Sequence, residues 1–369
     1  MQVLSDILLE LNKREVLLMP TINLIQSTVI VLALSSNLAF VHAEIKRTHT
    51  GKPDLSGTYD TGTLTPLNRP KEFGDKQFMT TEEAEKIQQQ MAARYDIFNR
   101  ESSADRKAPV KGGDGNNTAG AGGVGGYNAF WVDPGSDIFE IDGKFRTSIL
   151  YAPNNGQQPK MKTAALMRSA AIYESFRHDN DGTASWLARK GPGPFDGPES
   201  LAPSERCLIS FAATVPTIPS LYNNYKRIIQ TDDHVMILQE MVHDARIIRI
   251  DSEHTSAENR KSLGDSIAYW DGDVLVVETK HFKVPNGLFG ADENLTVTER
   301  FSRMDSGDLL YDFTVKDPTV WEEEWSGEYV WSANNSKVYE YACHEGNYAM
   351  GNILRGARLL ESEWEGERK

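Results

Sequence analysis

Acids and imidazoles recur in the second half of this chain where an apolar residue or a plain turn is expected. In QEMVHDARIIRI, Glu240, His243, Asp244 and Arg246 follow one another closely. A strand ending near Val242 and another starting near Ala245 would place His243 and Asp244 at a tight turn. An imidazole and a carboxylate there can face a cavity mouth and exchange protons with a substrate. An ordinary solvated turn carries the same residues, so both readings stand. In LTVTERF, Glu299 shares a face with Leu295, Val297 and Phe301; in VLVVETK, Glu278 shares one with Val274 and Val276. VMILQEMV gives Glu240 a row with Met236, Leu238 and Val242. Strand side chains alternate faces, so each acid sits in an apolar row. Desolvation favours the protonated form of a carboxyl group and suits it to acid or base work. Paired with Arg146, Arg246 or Arg300, the same group would lock the register of the strands instead.

Two further stretches carry candidate ligand contacts. In WEEEWSGEYVW, Trp321, Trp325, Tyr329 and Trp331 fall at even spacing on one strand face. Such a stripe stacks against a sugar or aromatic ligand, or fills a core. In YEYACHEGNY, Tyr341, Cys343, His344 and Glu345 follow what reads as a last strand, VYEYAC. His344 and Glu345 are a candidate acid–base pair at the rim, and Tyr341 a ligand contact. The expected catalytic set is therefore Glu240, His243, Asp244, Glu299 and His344. The expected substrate contacts are Arg146, Arg246, Glu278, Trp325 and Tyr341. No HxH, HExxH or CxxC spacing is present, so neither a metal nor another cofactor is indicated. Gly120, Gly122 and Gly125 match a dinucleotide fingerprint formally, but no strand precedes them and no helix follows.

The elements that must position these residues are short alternating strands from Lys226 onward: YKRIIQ, HVMILQEMV, ARIIRI, SIAYW, VLVVETK, LTVTERFSR and LLYDFTV. Turn residues separate them at Asp232-Asp233, Asp271-Gly272 and Ser306-Gly307, and Asp142-Gly143 marks an earlier hairpin. The pattern reads as a mainly β fold, an antiparallel meander closing into a lipocalin-like barrel or a sandwich. A few helices would cap it. One runs from the capping box Thr80-x-x-Glu83 to about Arg100, another from Lys162 to Phe176. Residues 1–43 read as a signal peptide: Lys13 and Arg14, an apolar run Ile25–Phe40, then Val41-His42-Ala43. Residues 44–129 form an extension with one helix and a glycine-rich loop, and 130–369 the barrel domain, with an excursion over 153–205.

The two cysteines, Cys207 and Cys343, are expected to form a disulfide in an oxidising compartment, periplasmic or extracellular. The net charge of −14 disfavours nucleic acid and anionic lipid as partners. No segment after the leader is apolar enough for stable membrane insertion.

Together PDLSG, RPKEFGDK, EMVHDARIIRID, GDSIAYWDGDVLVVET, ENLTVTERF and YEYACHEGNY resemble a large group of exported bacterial proteins. The resemblance spans nearly all of the chain after the leader. It implies export and a shared β fold, and carries over no catalytic residue. Two functions are expected from these readings. One is an exported acid–base enzyme (hydrolase, lyase or isomerase) acting on a small organic substrate in a barrel pocket. The other is a non-catalytic carrier of a small molecule.

Overall fold

Alternating apolar residues become the staves of a closed barrel. The computed structural model describes residues 45–98, 105, 132–176, 182–283, 288, 290–291 and 293–364. The expected signal peptide 1–43 and the glycine-rich stretch 112–126 lie outside the described residues. Five short strands come first: β1 (Gly57–Asp60), β2 (Phe78–Met79), β3 (Glu140–Ile141), β4 (Lys144–Arg146) and β5 (Leu150–Ala152). Then follow β6 (Tyr225–Gln230), β7 (His234–Gln239), β8 (Ala245–Ile250) and β9 (Asp265–Asp271). The last four are β10 (Val274–Lys280), β11 (Thr296–Arg303), β12 (Leu309–Lys316) and β13 (Trp325–Asn334). Among the described residues, three helices of more than one turn accompany them, α1 (Thr81–Phe98), α2 (Thr163–Phe176) and α3 (Tyr348–Ser362).

The barrel has nine strands in the order β1-β6-β7-β8-β9-β10-β11-β12-β13, and β1 pairs with β13 to close it. Every pairing in the ring is antiparallel except β8–β9, which is parallel. A parallel pair needs a crossover, and residues 251–264 supply it. Closure leaves no edge in the ring. Strand β5 adds outside it, along the first residues of β13.

The lumen is filled rather than hollow. Trp325, Gly327, Tyr329 and Trp331 of β13 face inward against Leu309, Tyr311, Phe313 and Val315 of β12. Tyr311 and Trp331 stack with centroids 4.8 Å apart, and Phe313 meets Trp325 edge-on at 5.9 Å. The aromatic stripe is thus core, and its outward alternates are Ser326, Glu328, Val330 and Ser332, all but Val330 polar. Gly327 makes room for this packing, since a Cβ there would lie 2.6 Å from Phe313 Cζ. Gly327→Ala should therefore lower stability by about 1–3 kcal/mol through overpacking, read as a shift of the urea midpoint. A shift under about 0.5 kcal/mol would show that Phe313 yields freely.

Outside the barrel, Asp142-Gly143 makes the expected hairpin β3–β4, both residues with positive φ. The capping box also forms: Thr80 N–H donates to Glu83 Oε2 at 2.7 Å, and Glu83 N–H to Thr80 Oγ1 at 3.2 Å. Helix α1 buries Ala84 against Met79 and Ile138. Cys207 and Cys343 are joined as a disulfide.

Four expectations need correction. VYEYAC is not a strand: β13 ends at Asn334 and residues 335–342 carry no regular structure. The partner it would have supplied is β1, whose Thr58–Asp60 pair with Ser332–Asn334. Strand β7 stops at Gln239 and turns Val235, Ile237 and Gln239 inward, leaving Met236 and Leu238 on the outer face. Glu240 therefore belongs to the following turn and not to an apolar row. Glu278 does share a face with Val274 and Val276, but that face is the outer one. The inner face of β10 is Leu275, Val277 and Thr279, all fully buried.

Candidate functional site

Glu299 projects from β11 into the lumen and is completely buried. Arg246 of β8 meets it across the barrel in a two-pronged ion pair at 2.6 and 2.9 Å. The Tyr311 hydroxyl donates to Glu299 Oε1 at 2.7 Å and accepts from the Thr217 backbone N–H at 2.9 Å. Tyr329 donates to the Thr217 carbonyl at 3.2 Å. Burial works against the Arg246 charge, but the Glu299 charge and hydrogen bonds outweigh it and hold the guanidinium pKa above its usual value. Burial first, and the Glu299 charge second, push Tyr311 well above an ordinary phenol. A buried pair bonded in this way ties β8 to β11 across the lumen, and the Glu299 carboxylate is taken up by Arg246 and Tyr311.

Thr217 belongs to a segment, residues 210–221, that plugs one end of the barrel with Ala212, Ala213 and Val215 buried. Between this plug and strands β6–β8 lies a recess of about 30 Å³. Lys226, Gln239, Asp244 and Arg246 give it a polar wall; Ala213, Val215, Ile237 and Leu263 an apolar one. Asp244 accepts from Ser210 N–H at 2.7 Å, and burial raises its carboxyl pKa. Lys226 is 2 % exposed. Burial brings its pKa down to about 7, with Glu240 and Asp244 opposing the shift. The sequence reading missed Lys226, although in YKRIIQ it shares the inward row with Ile228.

The remaining expected residues scatter. Glu240 is buried, accepting from Asn223 Nδ2 at 3.2 Å and from Tyr339 N–H at 3.4 Å. His243 is exposed on the turn after β7, where Val242 and His243 both have positive φ. His344 is exposed beside the disulfide. No side-chain hydrogen bond joins either histidine to Glu240 or Glu299 among the described residues. Tyr341 packs on Ala212, Met241 and Val242. Arg146 pairs with Glu328 outside the barrel, 5.0 Å from the Phe78 ring centroid. Trp325 is core. Glu278 bonds His254 at 3.1 Å and Lys280 at 2.6 Å on the outer wall.

Among the described residues one group has the ligand types and spacing of a metal site. His254, Asp265 and His281 bring ligand atoms within 4.8 Å of one another, and His281 Nδ1 is buried without a partner among the described residues. Asp265 is already held by Arg249 at 3.0 and 3.1 Å and by Lys261 at 3.2 Å. His254 bridges Asp265 and Glu278 at 3.1 Å each. Cations on the central carboxylate oppose a dication, so the cluster reads as an ionic anchor for the 251–264 crossover.

On the outer side of the plug lies a larger groove of about 590 Å³. Leu64, Leu67, Ile149, Phe211, Ile218 and Leu221 line it, with Thr63, Thr65, Gln158 and Ser220 as polar points. Thr214 borders both groove and recess. A comparison with known protein families finds no match to this chain, and a comparison with curated proteins finds none either.

Proposed function

We propose that this is an exported protein that binds a small, largely apolar organic molecule in the groove over the barrel plug. The groove itself supports the reading: its volume suits a small ligand, and its walls are apolar with a few polar points to orient one. Among the described residues the lumen offers no comparable volume: aromatic side chains fill it, and the recess beside Lys226 is only about 30 Å³. This is the carrier reading with the ligand moved from lumen to mouth. The Cys207–Cys343 disulfide is compatible with an oxidising compartment. Leu221 and Phe211 are 59 % and 50 % exposed, so changing them leaves the core intact. Nile red should bind saturably to the purified protein. Leu221→Glu and Phe211→Asp should each weaken it at least about tenfold, equivalent to about 1.4 kcal/mol. Absence of saturable uptake, or unchanged affinity in both variants, would overturn the reading.

The acid–base enzyme, the leading expectation from the sequence, becomes the second reading, favoured by one observation. Asp244 lines a recess next to that groove with its carboxyl pKa raised by burial, as a general acid requires. Incubation with a metabolite mixture and mass spectrometry of bound and converted species separates the two. An enzyme shows conversion that Asp244→Asn abolishes.

A further inference from the structure

Lys226 is a buried group whose chemistry neither reading uses. It sits on β6 opposite Tyr59 of β1 and Gln239 of β7. Among the described residues no hydrogen bond or ion pair closes on its amine. Four charged groups act on it: Glu240, Asp244 and Asp60 favour the ammonium, and Arg246 disfavours it. A lysine cation taken out of water without a direct partner is costly, so the amine is driven toward its neutral form. Its pKa near 7 accords with that.

A neutral amine is a nucleophile, and desolvated lysines in enclosed sites form Schiff bases with carbonyl compounds. The recess beside it, about 30 Å³, admits a group about the size of a water molecule. A larger electrophile would have to expose most of its bulk elsewhere. We propose that Lys226 is a covalent capture site for small aldehydes, forming an imine through Nζ within the recess. The nitrogen lone pair attacks the carbonyl carbon to give a carbinolamine. Its hydroxyl leaves as water, taking a proton from the Asp244 carboxyl, and the nitrogen proton returns to Asp244. The sum is amine plus aldehyde giving imine plus water, with no oxidant or reductant. The proposal is independent of what occupies the groove.

The test is reductive trapping on the purified full chain. Formaldehyde, the aldehyde nearest in size to the recess, and sodium cyanoborohydride convert an imine into an N-methyl amine, and peptide mass mapping reads each lysine over time. Lys160 and Lys190 are exposed and serve as internal references. At pH 7 the neutral fraction of Lys226 exceeds that of an ordinary lysine about a thousandfold. Even with access slowed by burial, Lys226 should be labelled at least about tenfold faster than either reference. The ratio should fall at least about tenfold on going to pH 10, where ordinary lysines also lose their protons. Lys226 left unlabelled while Lys160 and Lys190 react would overturn the proposal, as would a ratio that does not change with pH.

Discussion

Arg246→Met should lower the free energy of unfolding by about 3–5 kcal/mol, the loss typical of removing one partner of a buried ion pair. The variant strands the Glu299 carboxylate at zero exposure, with the Tyr311 hydroxyl as its remaining donor. Most of the effect is that uncompensated charge and not the lost attraction. The double variant Arg246→Met, Glu299→Leu should therefore recover at least half of the loss. Urea unfolding followed by tryptophan fluorescence measures both, since Trp325 and Trp331 lie in the same lumen. A single variant within about 1 kcal/mol of the parent would mean that water reaches the pair in solution.

The second large effect has the opposite sign and depends on pH. Lys226 titrates near 7 in the folded chain against 10.5 as an unhindered lysine. Between those values the unfolded chain binds the extra proton, so stability rises as pH rises from 7 to 10.5. Below pH 7 the full deficit is present. It is on the order of 4–5 kcal/mol before any relaxation of the site. Lys226→Met keeps the length of the side chain and removes the titration. It should be more stable than the parent by several kcal/mol at pH 6 and by much less at pH 10. A gain equal at both values would place the origin in packing rather than charge.

How far the sequence disclosed this site depends on what each signal is made of. Period-two alternation alone put Glu299 among Leu295, Val297 and Phe301, and its burial follows from that row. The same rule failed to orient Glu278, because both faces of VLVVETK are apolar and alternation does not say which is inner. Glu240 was assigned to a row that ends one residue too early, where β7 gives way to a turn with left-handed residues. Lys226 escaped notice since a lysine ordinarily marks a solvent face. The plug over residues 210–221 has no periodicity, so neither groove nor recess was legible. Strand β1 is four residues long and reads as an isolated edge. Its place between β13 and β6 exists only once the ring is closed.

That placement joins Tyr59 to Ala333, partners from opposite ends of the chain. At 5–20 residues per second a ribosome needs roughly 15–50 s to make the second after the first. Throughout that interval the opening stave has no mate on one side, and the meander from β9 to β13 must assemble without it. Closing the ring costs the loop entropy of the residues between Tyr59 and Ala333. The seam cannot lock before the last strand has been made.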